Sequence, residues 1–166
     1  MVHTTVSTMH ATTIGLPDRT RIEMIDLLNS RLAESLDLGL QVRHAHWNIR
    51  GSQFIALHDL FAGLYGDLDR YSDLLAERAV QLGGMAEGTI RGVENRSSLP
   101  TYPVAVEGSE HGRCIAAALT SWAVVLRGSI APATELGDPV TADILTDVSR
   151  GVDKWLWLVE TNVARV

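Results

Sequence analysis

The sequence predicts an all-α protein: a four-helix bundle with a long crossover between the second and third helices. Four stretches place apolar residues three and four positions apart, as on one face of a helix. A short polar break, Asn48 to Ser52, separates the first two stretches, whereas a segment rich in Gly, Asn, Ser and Pro, Met85 to Gly108, separates the second from the third. The first connection suits adjacent antiparallel helices, and the second is long enough to run the length of a bundle.

The first two helices are bounded by polar residues. Thr20 and Glu23 have the spacing of a capping box, which predicts that the first helix begins there and ends at Asn48. The second helix is predicted from Ser52 to the glycine pair that ends at Gly84. At 1.5 Å per residue it would be roughly 45 Å long, a length typical of long bundles.

The last two helices follow the crossover, which leaves room for a short helix of its own. Helical periodicity returns at Ile115 and stops near Pro132. Asp138 followed by Pro139 predicts the start of the last helix, because Asp is a good N-cap and Pro fits the first turn.

Residues 1–16 are rich in Thr, Ser and Ala and lack periodicity, so we expect a mobile N-terminal arm followed by a bundle domain, residues 17–166. The arm carries His3 and His10. No carboxylate or cysteine accompanies them, which favours solvated histidines over metal ligands.

Composition narrows the function classes. The chain has 166 residues, 14 basic against 20 acidic, and a net charge of -6, which argues against nucleic acid as the main partner and favours attraction of cations. The single cysteine, Cys114, excludes a disulfide within the chain. There is no run of eighteen apolar residues and no signal-peptide pattern, so we expect no membrane span and a cytoplasmic location.

Histidines and carboxylates of the first two helices form a candidate metal site. His46 ends the first helix, and His58, Asp73 and Glu77 lie on the second. Asp73 and Glu77 are four residues apart and share a face. His58 is roughly 22 to 28 Å from them along the helix axis, so one chain cannot bring all these groups to one metal.

Two copies of the second helix, packed antiparallel around a two-fold axis near Asp67 and Leu68, would remove this separation. Position 58 of one chain would then lie level with position 77 of its mate, and position 62 with position 73. Such an isologous dimer would contain two equivalent sites, each with histidines from one subunit and carboxylates from the other. The mixed imidazole and carboxylate set suits iron(II), manganese or zinc better than magnesium or calcium.

Ordinary interpretations remain open for each of these residues. A histidine at a helix end is commonly a cap or a surface group, and Asp73 and Glu77 could form i, i+4 ion pairs. Trp47 and Trp157 are more often core aromatics than redox partners. His44, two residues from His46, points to another face of the helix and receives no role.

Four motifs in order resemble the signatures of the Dps family, the ferritin-like mini-ferritins of starved bacteria: HWNIRG, FIALHDLF, DLLAERAVQLGG and TADILTDVSRGVDKWLW. The likeness covers Leu27 to about Asn162. It implies a ferritin-like bundle, assembled from two-fold dimers into a hollow dodecamer. Such a cage oxidises iron(II), preferentially with hydrogen peroxide, stores the ferric product and protects against oxidative stress.

The resemblance also implies roles for individual residues. His46, with Asp73 and Glu77 of the neighbouring subunit, would hold the tighter iron of a two-iron site, and His58 would help to hold the weaker one. Trp47 would lie beside the pair and could quench radicals. Acidic three-fold pores near the start of the last helix would admit iron, with a solvated helix N-terminus as the alternative. The pore candidates are Asp138, Asp143 and Asp147.

The sequence departs from the family pattern at the metal site. The position four after the second histidine carries aspartate in the family, a ligand of the weaker iron, whereas this chain has Ala62. Asp59 lies on the wrong face of the helix to replace it. We therefore expect strong binding of one iron and slower paired oxidation.

A second departure concerns DNA. Members that condense DNA usually use lysine-rich arms, whereas this N-terminal region contains Arg19 and Arg21 but no lysine. We expect DNA binding to be weak or absent at physiological salt. Two alternatives stay open: a nucleoid-associated, DNA-protecting structural protein whose ferroxidase centre is impaired, and a hydrolytic cage that activates water on another metal.

Overall fold

The computed structural model describes residues 9–104, 108 and 110–164. Within these residues the chain forms five helices and no strand: α1 (Asp18–Asn48), α2 (Phe54–Gln81), α3 (Ile90–Arg96), α4 (Glu110–Glu135) and α5 (Pro139–Val163). The main packing pairs are α1 with α2 and α4 with α5, and α1 also packs on α4 and on α3. The predicted all-α bundle is confirmed, and α3 is the short helix within the crossover.

The core runs along the bundle axis. Its largest fully buried side chains include aromatic residues of α2 and α4, and the Tyr71 and Trp122 rings lie 6.4 Å apart. The apolar positions on which the helices were predicted are buried throughout α2: Leu57, Phe61, Leu64, Leu68, Tyr71 and Leu75. Burial of these apolar side chains, and of their counterparts on the other helices, supplies the driving force that joins the four long helices.

The predicted start of α1 is wrong, whereas that of α5 is correct. α1 begins at Asp18, and the Thr20 hydroxyl donates to the Leu136 carbonyl oxygen, 3.0 Å away, instead of capping its own helix. Asp138 is the N-cap of α5, as predicted, and accepts a hydrogen bond from the Thr141 backbone N–H. The tertiary contact outcompetes the local capping box at Thr20.

The described part of the predicted arm lies against the bundle. Met9 and Leu16 pack on the core, and the His10 N–H donates to the Gly83 carbonyl oxygen over 2.7 Å. Gly83 has φ +89°, and a Cβ there would lie 2.5 Å from the His10 carbonyl oxygen, so this docking requires glycine. His3 lies outside the described residues.

By length and composition α4 could cross a membrane. The buried core helix of a water-soluble bundle has the same length and composition, so these two properties do not by themselves indicate a membrane span. Leu119, Trp122 and Leu126 of α4 are fully buried within the bundle.

Gly151 marks a close approach between α5 and α2. A Cβ at this position would contact the Tyr71 hydroxyl oxygen and lie 2.7 Å from the ring carbon that bears it. We expect Gly151→Ala to displace the buried Tyr71 ring and to destabilise the protein by about 1–3 kcal/mol, the usual cost of overpacking. Gly128→Ala on α4 is the control, because its Cβ would meet nothing within 4 Å and should stabilise the helix by up to about 1 kcal/mol. Equal thermal unfolding curves for the two variants would contradict this reading.

Candidate metal centre

His46 and His58 lie together where α1 ends and α2 begins. Their rings are stacked, with centroids 3.8 Å apart and planes inclined by 30°. The turn between the helices contains Ile49, which is buried, and Gly51, whose φ of +101° suits glycine. The short turn thus places the first two predicted ligands side by side.

A backbone contact fixes the orientation of the His46 ring. Its Nδ1 lies 3.0 Å from the His58 carbonyl oxygen. A carbonyl oxygen can only accept, so Nδ1 carries the proton, and in the neutral ring Nε2 keeps its lone pair. Metal-ligating histidines commonly hold their second nitrogen in this way. The ring is therefore prepared to offer Nε2 to a metal ion.

Asp73 and Glu77 lie on the exposed surface of α2, and neither carboxylate has a hydrogen bond or ion pair within the described residues. The nearby arginines have other partners: Arg70 contacts Asp147, and Arg78 contacts Asp138. The ion pairs considered as the ordinary interpretation are thus not made. Two unpartnered carboxylates one turn apart repel each other, and a bound cation would relieve this repulsion.

The candidate ligands do not meet within one chain. No three His, Cys, Asp or Glu side chains in the described ranges are grouped closely enough to hold a metal. Asp73 and Glu77 instead belong to a long exposed stripe on α2, spaced at three, four and seven residues and hereafter called the α2 stripe. It comprises Ile55, Ala62, Gly66, Asp69, Asp73, Glu77 and Val80. Its N-terminal half contains two small residues, Ala62 and Gly66, three carboxylates follow, and an apolar residue stands at each end.

Trp47 projects from the last turn of α1, and 69% of its surface is exposed. The Arg43 guanidinium lies 5.5 Å from the Trp47 ring centroid and 4.4 Å from that of Tyr65. These cation–π contacts are not among the features predicted from the sequence. The signal for one of them is the four-residue spacing of Arg43 and Trp47, which places both side chains on one face of α1. Trp47 is therefore a surface aromatic, next to His46 in the sequence, and not a core residue.

The three pore candidates differ in their surroundings. Asp138 has no exposed surface, and its Oδ1 accepts from Arg78 Nη2 over 2.8 Å and from the Thr141 N–H over 3.0 Å. A carboxylate that admits iron through a pore must be exposed and free to bind it. Asp138 is buried and paired, so the prediction that it lines a pore is wrong. Asp143 is exposed, and Asp147 is half-buried with Arg70 and Arg150 nearby.

The chain is similar in sequence and in fold to known proteins. A family model described as a ferritin-like domain matches residues 25–166. A DNA protection during starvation protein of Agrobacterium fabrum is 39% identical over 155 residues, which cover 93% of this chain and 96% of the relative. DpsC from Streptomyces coelicolor has a TM-score of 0.91 at 28% identity, covering 96% of this chain and 94% of that chain. A Dps protein from Vibrio cholerae, described as a member of a broad superfamily of ferritin-like diiron-carboxylate proteins, has a TM-score of 0.85 at 25% identity, covering 92% and 96%.

Proposed function

The chain belongs to the Dps family of ferritin-like proteins, and we propose that it is a ferroxidase that stores the ferric product in a homo-oligomeric cage. One observation carries the proposal. Two adjacent histidines lie at one end of α2, and two unpartnered carboxylates lie on its exposed face near the other end. A second copy of the chain can unite them, whereas a single subunit cannot.

The α2 stripe supports a two-fold dimer in the register deduced from the sequence. In that register Ile55 would face Val80 of the partner subunit, so two exposed apolar side chains would bury each other. In the same register Gly66 would lie near the axis, and because a Cβ there would meet nothing within 4 Å, the surface of α2 is open to a second helix at this point. The same register brings position 58 level with position 77 of the partner subunit.

The donor set fits iron. His46, through its free Nε2, would bind the tighter iron together with Asp73 and Glu77 of the partner subunit, and His58 would help to bind the weaker one. Mixed imidazole and carboxylate ligands suit iron(II). Two iron(II) ions supply the two electrons that convert hydrogen peroxide and two protons into two molecules of water. The protein contributes position and compensating charge.

We propose a dodecameric, cytoplasmic cage, on the basis of family membership. Asp143 and Asp147 remain the candidates for an acidic entry route, and Asp138 is removed from that set because it is buried in an ion pair. Native mass spectrometry tests the assembly, with twelve subunits expected and any smaller complex arguing against a closed cage of this type.

Ala62 is expected to limit both the number of iron ions bound at the centre and the rate of their oxidation. It lies on the α2 stripe, level with position 73 of the partner subunit, where it offers no ligand. We expect Ala62→Asp to raise tightly bound iron from one to two ions per subunit and to speed peroxide-driven oxidation about tenfold or more, equivalent to about 1.4 kcal/mol of barrier. Calorimetric titration and stopped-flow absorbance measure the two effects. A variant that oxidises iron no faster than the natural chain would show that another group already fills this position.

Anaerobic titration of metal-free protein with iron(II), followed by one addition of hydrogen peroxide, tests the function itself. We expect saturable binding near one iron per subunit and ferric absorbance that depends on the protein. Zinc(II) is a suitable competitor, because it takes the same ligands without redox chemistry. If protein and protein-free buffer oxidise iron at the same rate, the ferroxidase proposal fails.

DNA binding is the second candidate function, since the Agrobacterium relative is called a DNA protection during starvation protein. The arginines near the N-terminus are already engaged: Arg19 pairs with Glu23, and Arg21, only 8% exposed, contacts Asp18 and the Leu82 carbonyl. We expect no stable retardation of duplex DNA in a gel shift at about 0.15 M salt. Stoichiometric retention under these conditions would favour the nucleoid-associated alternative.

A further inference from the structure

The Arg43 guanidinium has no acidic partner in the described part of the chain. Arg43 is exposed on α1, and its contacts are aromatic: the guanidinium lies 4.4 Å from the Tyr65 ring centroid and 5.5 Å from that of Trp47. These cation–π contacts hold the side chain in place but give its N–H groups no oxygen acceptor. The N–H groups are therefore available to an acceptor from another subunit.

Asp69 carries the opposite charge and is also unpaired. It belongs to the α2 stripe, its side chain is exposed, and its carboxylate has no hydrogen bond or ion pair within the described ranges. Unlike Asp73 and Glu77, it has no part in the candidate metal centre. Arg43 and Asp69 thus give one chain an unpaired cation and an unpaired anion, which a second copy of the chain could match to each other.

Tyr65 connects the guanidinium to the surface that a second copy would cover. It stands three residues after Ala62 and four before Asp69, so its ring borders the α2 stripe on one side. This side faces α1, since a Cβ on Gly39 would lie 3.9 Å from Tyr65 Cε2 and the Arg43 guanidinium lies over the same ring. Arg43 therefore reaches the edge of the proposed dimer interface.

The two-fold register brings the two charges together. In that register Asp69 of the partner subunit lies level with Gly66, and Tyr65 is one residue away, roughly 1.5 Å along the helix axis. A Cβ at Gly66 would meet nothing within 4 Å, so the approaching carboxylate finds open space there. The two-fold axis keeps the α1-facing borders of both stripes on the same side of the interface. Asp69 of the partner subunit therefore approaches the guanidinium of Arg43.

We propose that Arg43 binds Asp69 of the partner subunit, and that the two symmetric ion pairs make the α2 interface selective for a second copy of this chain. This inference rests on the proposed function, because it uses the dimer that unites the metal ligands. The aromatic rings already orient the guanidinium, so pairing costs less side-chain entropy than in an ordinary exposed ion pair. A mate without an acidic residue at this position would leave the guanidinium uncompensated at the interface.

Asp73 is the competing acceptor for the guanidinium. In the same register Asp73 of the partner subunit lies level with Ala62, three residues from Tyr65 and thus roughly 4.5 Å along the helix axis. Asp69 of the partner subunit is nearer, and the proposed function assigns Asp73 to iron. The pairing with Asp69 therefore leaves the metal-binding carboxylates free, and Asp73 provides the comparison in the test.

Mixing two charge-reversed chains tests the contact between subunits. Arg43→Glu and Asp69→Arg each replace both ion pairs of the dimer by like charges, so we expect the dimer dissociation constant of either variant alone to rise about 100-fold. In a mixed dimer both contacts join opposite charges again, although each chain by itself still carries two like charges. Joint refolding of equal amounts should therefore restore assembly, and native mass spectrometry should find equal numbers of the two chains in every complex.

Arg43→Glu mixed with Asp73→Arg is the matched control, and we expect it not to restore assembly of the Arg43→Glu chain. Restoration in this mixture alone would overturn the choice of Asp69, and failure of both mixtures would overturn the pair between subunits. All samples are metal-free full-length protein. A protein that pairs as proposed but oxidises no iron would therefore refute the ferroxidase proposal and leave the ion pair standing.

Neutral substitutions keep the test decisive if a charge-reversed chain does not fold. Arg43→Gln and Asp69→Asn each remove one partner of both ion pairs, and we expect each to weaken the dimer about tenfold. The double variant should dissociate no more readily than either single variant, because the same contact is lost in all three. Additive losses in this double-mutant cycle would contradict the proposal.

Discussion

Subunits carrying His46→Ala and subunits carrying Glu77→Ala are each expected to be inactive alone and active when co-assembled. Each variant removes a direct ligand from every site, and we expect a loss of at least about 100-fold, since loss of supporting groups alone costs 10–100-fold. A mixed dimer has one site with both defects and one intact site. Random assembly of equal amounts should therefore recover about a quarter of the natural oxidation rate, because half of the dimers are mixed.

Co-assembly of His46→Ala with His58→Ala subunits is the matched control. Both substitutions affect the histidine half of the site, so a mixed dimer contains no intact site and activity should not return. The mixtures are prepared by joint refolding, and ferric absorbance after peroxide addition gives the rates. Recovery in both mixtures, or in neither, would mean that the ligands are not divided between subunits as proposed.

Asp138→Ala is expected to cause a large loss of stability. Asp138 and Arg78 form an ion pair whose side chains are 1% and 5% exposed, and Asp138 also caps α5 through the Thr141 N–H. Removal leaves the Arg78 charge buried without its partner, which costs about 3–5 kcal/mol. For a chain of this size the melting temperature should fall by about 6–20 °C.

Asp143→Ala is the control for this prediction, because Asp143 is exposed on the same helix and should change stability by less than about 0.5 kcal/mol. Thermal unfolding of both variants at one protein concentration, with assembly checked by native mass, provides the comparison. Equal stabilities would contradict the structural role of Asp138 and return it to the set of pore candidates.

The features that sequence predicts well are those with a local repeat. The helical stripes of α1, α2, α4 and α5 follow from apolar residues three and four apart, and the Asp138–Pro139 start of α5 uses neighbouring residues only. The separation of His58 from Glu77 also follows from helix rise, which is why a shared site could be deduced without any partner chain.

The features that sequence does not predict depend on distant partners. Thr20 bonds to Leu136 instead of closing a capping box, and Asp138 is buried because Arg78 reaches it from another helix. The Tyr102–His111 contact involves a crossover without periodicity, so no spacing rule could have indicated it. In each case a tertiary contact overrides or lies outside the local pattern.

Anomalous diffraction from crystals soaked anaerobically in iron(II) tests the shared centre most directly. Data collected on both sides of the iron absorption edge locate the metal without reference to the protein. We expect a strong peak within bonding distance of His46 Nε2 of one subunit and of the Asp73 and Glu77 carboxylates of its two-fold mate. A well-occupied iron bound by ligands of one chain only, or bound away from His46, would contradict this expectation.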